Sequence, residues 1–224
     1  NMTTKIMPNK IGLEFGLFMT ATPGIENGND TLSGILTIPT VSYLTGFYDQ
    51  NNLLINISSQ DNDASIHFTI DGAPPTTNSD IYSEPILVDS NTVLRIRSFK
   101  NGWMQSPINT QTYILENDQH EFPTIFLTTD PDNFFDYDSG IYVMGPNASN
   151  EYPYLFANFW EDWERPIHLG LLEINGTFFE SSAGVKIYGA WSRVYSQKSL
   201  AFYARGTYGE NEFKPYRYDS TTNY

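Results

Sequence analysis

The chain has 224 residues, 40% of them apolar, with 26 acidic against 12 basic side chains and a formal net charge of -14. The apolar share suits one or two domains with true cores and lies outside the composition of disorder. So few cations exclude non-specific nucleic-acid binding and docking on an anionic membrane, and the absence of cysteine excludes disulfides, thiolate metal sites and a cysteine nucleophile.

In chain order, residues 1–32 carry an apolar piece from Ile11 to Phe18, followed by the loop-like "TATPGIENGNDT". From about Leu32 the pattern changes. "LLINISS", "SIHFTID", "PILVDS", "TVLRIRSF" and "TQTYIL" alternate apolar and polar residues between turn clusters such as "DGAPPTTNSD". Short strands at this spacing predict an antiparallel, Ig-like β-sandwich over residues 33–117. In "TVLRIRSF", Leu94 and Ile96 share the core parity, and Arg95 and Arg97 face solvent or a partner. "LENDQHEF" is a polar link. Residues 118–224 then read as an α+β, sheet-rich unit. "FPTIFLTTD" is a strand, Asp130 caps a short helix opened by Pro131, and "GIYVMG" is a short strand. "ERPIHLGLLEING", "TFFESSAGVKIYG" and "QKSLAFYAR" supply three more strands with glycine turns. The whole chain is therefore expected to be mainly β.

Several clusters invite a functional reading. Asp130, Asp132, Asp136 and Asp138 crowd nine residues, but they lack the ligand spacing of a calcium loop, so capping and turn roles are expected. "WEDWERP" mixes Trp160 and Trp163 with Glu161, Asp162, Glu164 and Arg165. These rings and carboxylates suit sugar contact or acid–base work, or simply a loop anchored on the sheet. His67, His120 and His168 lack ligand spacing, and His67 and His168 read as half-exposed strand residues. Gly184 and Gly189 do not make a phosphate loop, because Ala190 and Trp191 stand where Lys and Ser or Thr are needed. Asn-x-Ser/Thr triplets begin at Asn1, Asn29, Asn56, Asn147 and Asn175, a pattern that an Asn- and Thr-rich chain produces by chance.

"WSRVYSQKSLAFYAR" is the one purely basic stretch, with Arg193, Lys198 and Arg205 and no acid. Lys198 shares parity with Leu200, Phe202 and Ala204, so it enters the apolar side of its strand. There it either snorkels to the sheet edge or holds a phosphate, as sheet lysines of kinases do. Pairing of this strand with the acidic "WEDWE" loop is the rival account.

"FPTIFLTTDPDNFFDYDSGIYVMG", "WERPIHLGLLEINGTFF" and "AGVKIYGAWSRVYSQKSLAFYARGTYGENEF" resemble the beginning of the CotH-kinase family of atypical protein kinases. "IHFTIDGAPPTTNSDIYSEPILVDSNTVLRIRSFKNGWMQSPINTQTYI" looks like the chitobiase/β-hexosaminidase C-terminal-type Ig-like module, and "TATPGIENG" is similar to the tail of a lamin-tail-like domain. The resemblance implies three parts: a remnant at 1–32, the Ig-like module at 33–117, and the first portion of a CotH-like domain at 118–224. It implies a bacterial multidomain protein, secreted or at the cell surface, using ATP and Mg or Mn. Its partners would be the rest of the parent protein and a protein substrate. The family's "SR…QKS" segment falls on Ser192, Arg193, Gln197, Lys198 and Ser199. Lys198 thereby becomes the candidate phosphate-contacting lysine and Arg193 a second contact. The family's Gly-Gly before Ser-Arg is Gly189-Ala190 here, and its catalytic and metal-binding aspartates lie beyond Tyr224. The chain is therefore expected to be a piece of a longer protein, without phosphotransfer of its own. The alternative reading is a non-catalytic surface-attachment module that contacts glycans through Trp103, Trp160 and Trp163. No nucleic acid partner and no membrane insertion are expected.

Overall fold

The structure is a computed structural model and describes residues 7–8, 15–18, 31–116 and 122–213. Most of the loop at 20–31 and the link residues 117–121, with His120, lie outside it. The described chain is mainly β, with a single four-residue α-helix among the described residues. Short strands β1 (Met7–Pro8), β2 (Phe15–Phe18) and β3 (Thr31–Leu32) pair as a three-stranded antiparallel sheet. The chain divides into two compact units, Asn1–Ile70 with Pro74–Leu115 and Asp71–Ala73 with Glu116–Tyr224.

The first unit is an Ig-like β-sandwich. Its strands are β4 (Thr40–Val41), β5 (Gly46–Phe47), β6 (Leu53–Ile55), β7 (Ile57–Ser58), β8 (Ser65–Thr69), β9 (Asp80–Ile81), β10 (Ile86–Val88), β11 (Thr92–Phe99) and β12 (Asn109–Ile114). They form a five-stranded sheet of order β5-β12-β11-β8-β9, with β6–β10 and β4–β7 as two-stranded ribbons. Leu53, Ile55, Ile57 and Val88 of the ribbons pack with Leu94, Ile96 and Tyr113 of the larger sheet, all buried. Alternation along "TVLRIRSF" produces this arrangement. Leu94 and Ile96 are fully buried, whereas Arg95 and Arg97 are only half-buried on the other face, where Arg97 Nε donates to the Ser106 carbonyl at 2.6 Å.

Two features depart from the sequence reading. The sheet is not purely antiparallel: β5 runs parallel to β12, held there because the Gln111 side-chain oxygen accepts from the Thr45 N–H at 2.6 Å. His67 is not half-exposed but buried. The Ser79 carbonyl meets its Nδ1 at 2.9 Å and the Phe99 ring lies edge-on at 5.1 Å, closing the outer face over it.

The second unit is built on an antiparallel meander of β13 (Thr124–Thr128), β14 (Arg165–Leu172), β15 (Phe178–Tyr188) and β16 (Ser199–Tyr203). α1 (Asp132–Phe135) and two 3-10 turns, Asn158–Trp160 and Trp191–Val194, lie between strands. Ile167, Ala183, Val185 and Ile187 point to one face and pack with Phe134, Ile141, Ala157 and Phe159.

"GIYVMG" is not a strand. Its N–H groups turn back onto α1, Ile141 donating to the Asn133 carbonyl at 3.0 Å and Tyr142 to Phe134 at 2.9 Å. Buried Asn158 then closes the turn, its amide donating to the Tyr137 and Gly140 carbonyls, each at 3.1 Å. Gly145 is required beside it: φ is +72° and an added Cβ would sit 1.9 Å from Asn158 Oδ1.

Candidate functional site

The candidate site lies where β15, β16 and the 159–164 segment meet. Register pairs Val185 with Phe202 and Ile187 with Leu200 on the core face of the sheet. Lys198, two residues before Leu200, continues that parity. Its ammonium sits over the Phe159 ring at 4.3 Å and the Tyr142 ring at 5.2 Å. It donates to the carbonyls of Arg193 at 2.8 Å and Tyr195 at 2.7 Å. One carbonyl lies within the Trp191–Val194 turn and the other on Tyr195, the residue that caps it, so the lysine closes the C-terminal end of the turn. Partial burial lowers its pKa from the ordinary lysine value.

Arg193 anchors the same turn. Its Nε donates to the Gly189 carbonyl at 2.8 Å, and Nη1 reaches the carbonyls of Phe159 and Trp160, both at 3.2 Å. Among the described residues, neither Lys198 nor Arg193 has a carboxylate within ion-pair distance. One ammonium proton and the Nη2 group are likewise unspent.

The opposite face of the sheet is arranged differently. Arg205 Nε meets both Glu164 oxygens at 2.9 and 3.2 Å, and Lys186 Nζ meets Asp162 at 3.0 Å and Glu164 at 3.8 Å. Hydrogen bonding to Glu164 raises the Arg205 pKa further. Gly184 makes room for this pairing, because a Cβ there would stand 2.4 Å from Glu164 Oε1. The acidic loop therefore takes Arg205 and Lys186 by charge, Arg193 by backbone carbonyls and Lys198 by the Phe159 ring. Within the basic stretch, pairing with the acidic loop by charge holds for Arg205.

The remaining candidates have structural partners. Asp130 Oδ1 accepts from the Asp132 N–H at 3.1 Å at the start of α1. Asp136 accepts from the Asp138 N–H at 3.1 Å and from the Ser139 N–H and hydroxyl, both at 2.8 Å. Those bonds, from Ser139 first, hold its carboxyl below the usual range. Among the described residues no group of three His, Cys, Asp or Glu could hold a metal ion, and no helix is long and apolar enough to cross a membrane. His168 lies 3.4 Å from Glu180 across β14 and β15.

The three tryptophans named for glycan contact are each only half-exposed. Trp103 packs on Gly34 with Lys100 at 5.4 Å from its ring, Trp160 Nε1 donates to the Pro153 carbonyl at 3.0 Å, and Arg165 stacks over Trp163 at 5.2 Å. Trp191, which no periodicity singled out, is 61% exposed. Its place in a break between Gly189 and Ser192, rather than in a strand, is the signal that could have marked it.

Residues 45–112 match the family model of the chitobiase/beta-hexosaminidase C-terminal domain. That span runs from the residue before β5 through most of β12, which is the sandwich without β4, and leaves the meander outside it. No curated protein and no solved structure matches the chain.

Proposed function

We propose that this chain belongs to an exported, carbohydrate-associated bacterial multidomain protein, with the chitobiase-type sandwich as its spacer or presenting module. Residues 122–213 serve as the first lobe of a CotH-type kinase. Lys198 and Arg193 are its phosphate-facing cations, ATP and Mg or Mn its cofactors, and a protein its substrate. One observation carries this reading. In a chain of net charge -14, Lys186 and Arg205 are neutralised by carboxylates, but Lys198 and Arg193 among the described residues are not. Uncompensated cations in an acidic protein concentrate positive potential at one point, where an anion is drawn in. Phosphoryl transfer also needs metal ligands and a base positioned together, so no turnover is expected of this stretch.

Calorimetric titration of ATP with Mg or Mn into the chain, alongside Lys198→Ala and Arg193→Ala, tests the assignment. Saturable binding that weakens at least tenfold in Lys198→Ala supports it. Equal binding in wild type and both variants would remove these residues from any nucleotide site.

A further inference from the structure

The second unit also carries a pair of exposed aromatic rings apart from the basic side chains discussed above. Tyr152 is 63% and Trp191 61% exposed, and their rings lie nearly parallel at 14° with centroids 6.4 Å apart. From this pair we propose a binding platform for a neutral oligosaccharide of equatorially substituted pyranoses, such as β-1,4-linked N-acetylglucosamine. It deepens the carbohydrate-associated part of the reading above and does not depend on the phosphate-facing cations.

Three observations carry it. The rings are held in place before any ligand arrives. Trp160, locked through its indole N–H, meets Trp191 edge-on at 88°, and Tyr154 meets Tyr152 at 76°. The backbone beneath is forced: Tyr154 and Phe156 have φ of 61° and 65°, two of the three non-glycine residues with positive φ among the described residues. Such backbone persists where the surroundings over-determine it, and it clusters at ligand clamps. The bonds that hold it run from the Tyr154 N–H to the Glu151 carbonyl at 2.7 Å and from the Ser149 N–H to the Leu155 carbonyl at 2.8 Å.

The third observation is the pattern of unspent polar groups. Among the described residues the Tyr152 hydroxyl and the Trp191 indole N–H have no hydrogen-bond partner, unlike the Trp160 indole. Rigid aromatic faces with polar tips match a ligand that is flat and C–H-rich on its face and hydroxylated at its rim. A pyranose with equatorial substituents is such a ligand. The net charge of -14 selects a neutral chain over an anionic one.

The probe is the tetramer of β-1,4-linked N-acetylglucosamine, titrated against intrinsic tryptophan fluorescence and by calorimetry, with cellotetraose as a second neutral chain. Saturable binding is expected, at least tenfold weaker in Trp191→Ala and in Tyr152→Ala and less affected in Trp191→Phe. Binding unchanged in Tyr188→Ala, an exposed ring outside the platform, confirms the location. All of these sites are exposed, so unchanged circular dichroism shows that the variants fold. No saturable binding of either tetramer overturns the platform. Binding that survives both Tyr152→Ala and Trp191→Ala overturns it too, while leaving the carbohydrate association itself standing.

Discussion

Lys198 is neither a plain surface lysine nor a buried ion pair. Two carbonyls and two rings hold its ammonium, so Lys198→Met removes charge-assisted bonds while keeping the stem. The variant is expected to lose about 1–2 kcal/mol in chemical denaturation, which a purely solvated lysine would not show. Asn158→Ala is expected to cost more, about 2–3 kcal/mol, because it leaves the buried Gly140 carbonyl and the part-buried Tyr137 carbonyl unpaired. At this scale parity was legible: alternation alone put Lys198 on the core side. Partners were not. Glu164 and Arg205 are 41 residues apart, and no local pattern announces that they meet. Nor does alternation mark Trp191, whose exposure follows from sitting in a 3-10 turn outside the strand period, where only the break after Gly189 signals it.

The elements follow sequence wherever alternation is strict. β11 reads directly from "TVLRIRSF", and Leu94→Ala in its fully buried position is expected to cost about 2–5 kcal/mol by thermal or denaturant unfolding. "GIYVMG" has the composition of a strand and misleads, because a side chain from Asn158, far along the chain, decides its path. The β5–β12 pair depends in the same way on Gln111 reaching Thr45. Gly184 was noticed for the wrong reason: it gives Glu164 room against the sheet. Gly184→Ala is therefore expected to displace that carboxylate from Arg205 and to destabilise by about 1–3 kcal/mol.

Tyr113 gives the sandwich a pH limit. Burial raises its phenol pKa well above the usual 10.0, helped by Tyr48, and its hydroxyl donates to the Tyr43 carbonyl at 3.0 Å. The folded state therefore keeps a proton that the unfolded chain gives up. This contribution is complete below pH 10 and is lost as pH rises beyond it. Absorbance titration at alkaline pH should show one tyrosine ionising only with unfolding, and Tyr113→Phe should abolish that step.

For the whole molecule, alternation and turn spacing told the class. The mainly β fold agrees with the expected class, and the sandwich coincides with a recognised domain family. What composition could not supply is the distribution of charge within the fold. Acids are spent on Lys186 and Arg205 on one face of the meander, leaving Lys198 and Arg193 uncompensated on the other among the described residues. This distribution is what the proposed phosphate-facing site rests on.

The most direct test is to watch the lysine itself. With ¹³C-labelled lysine side chains, the Lys198 Cε resonance, assigned through Lys198→Arg, should move along a saturable curve as ATP and Mg are added. Lys186, already held by Asp162 and Glu164, should stay still. A Lys198 signal that does not move, or lysines that all drift together without saturation, would contradict the account.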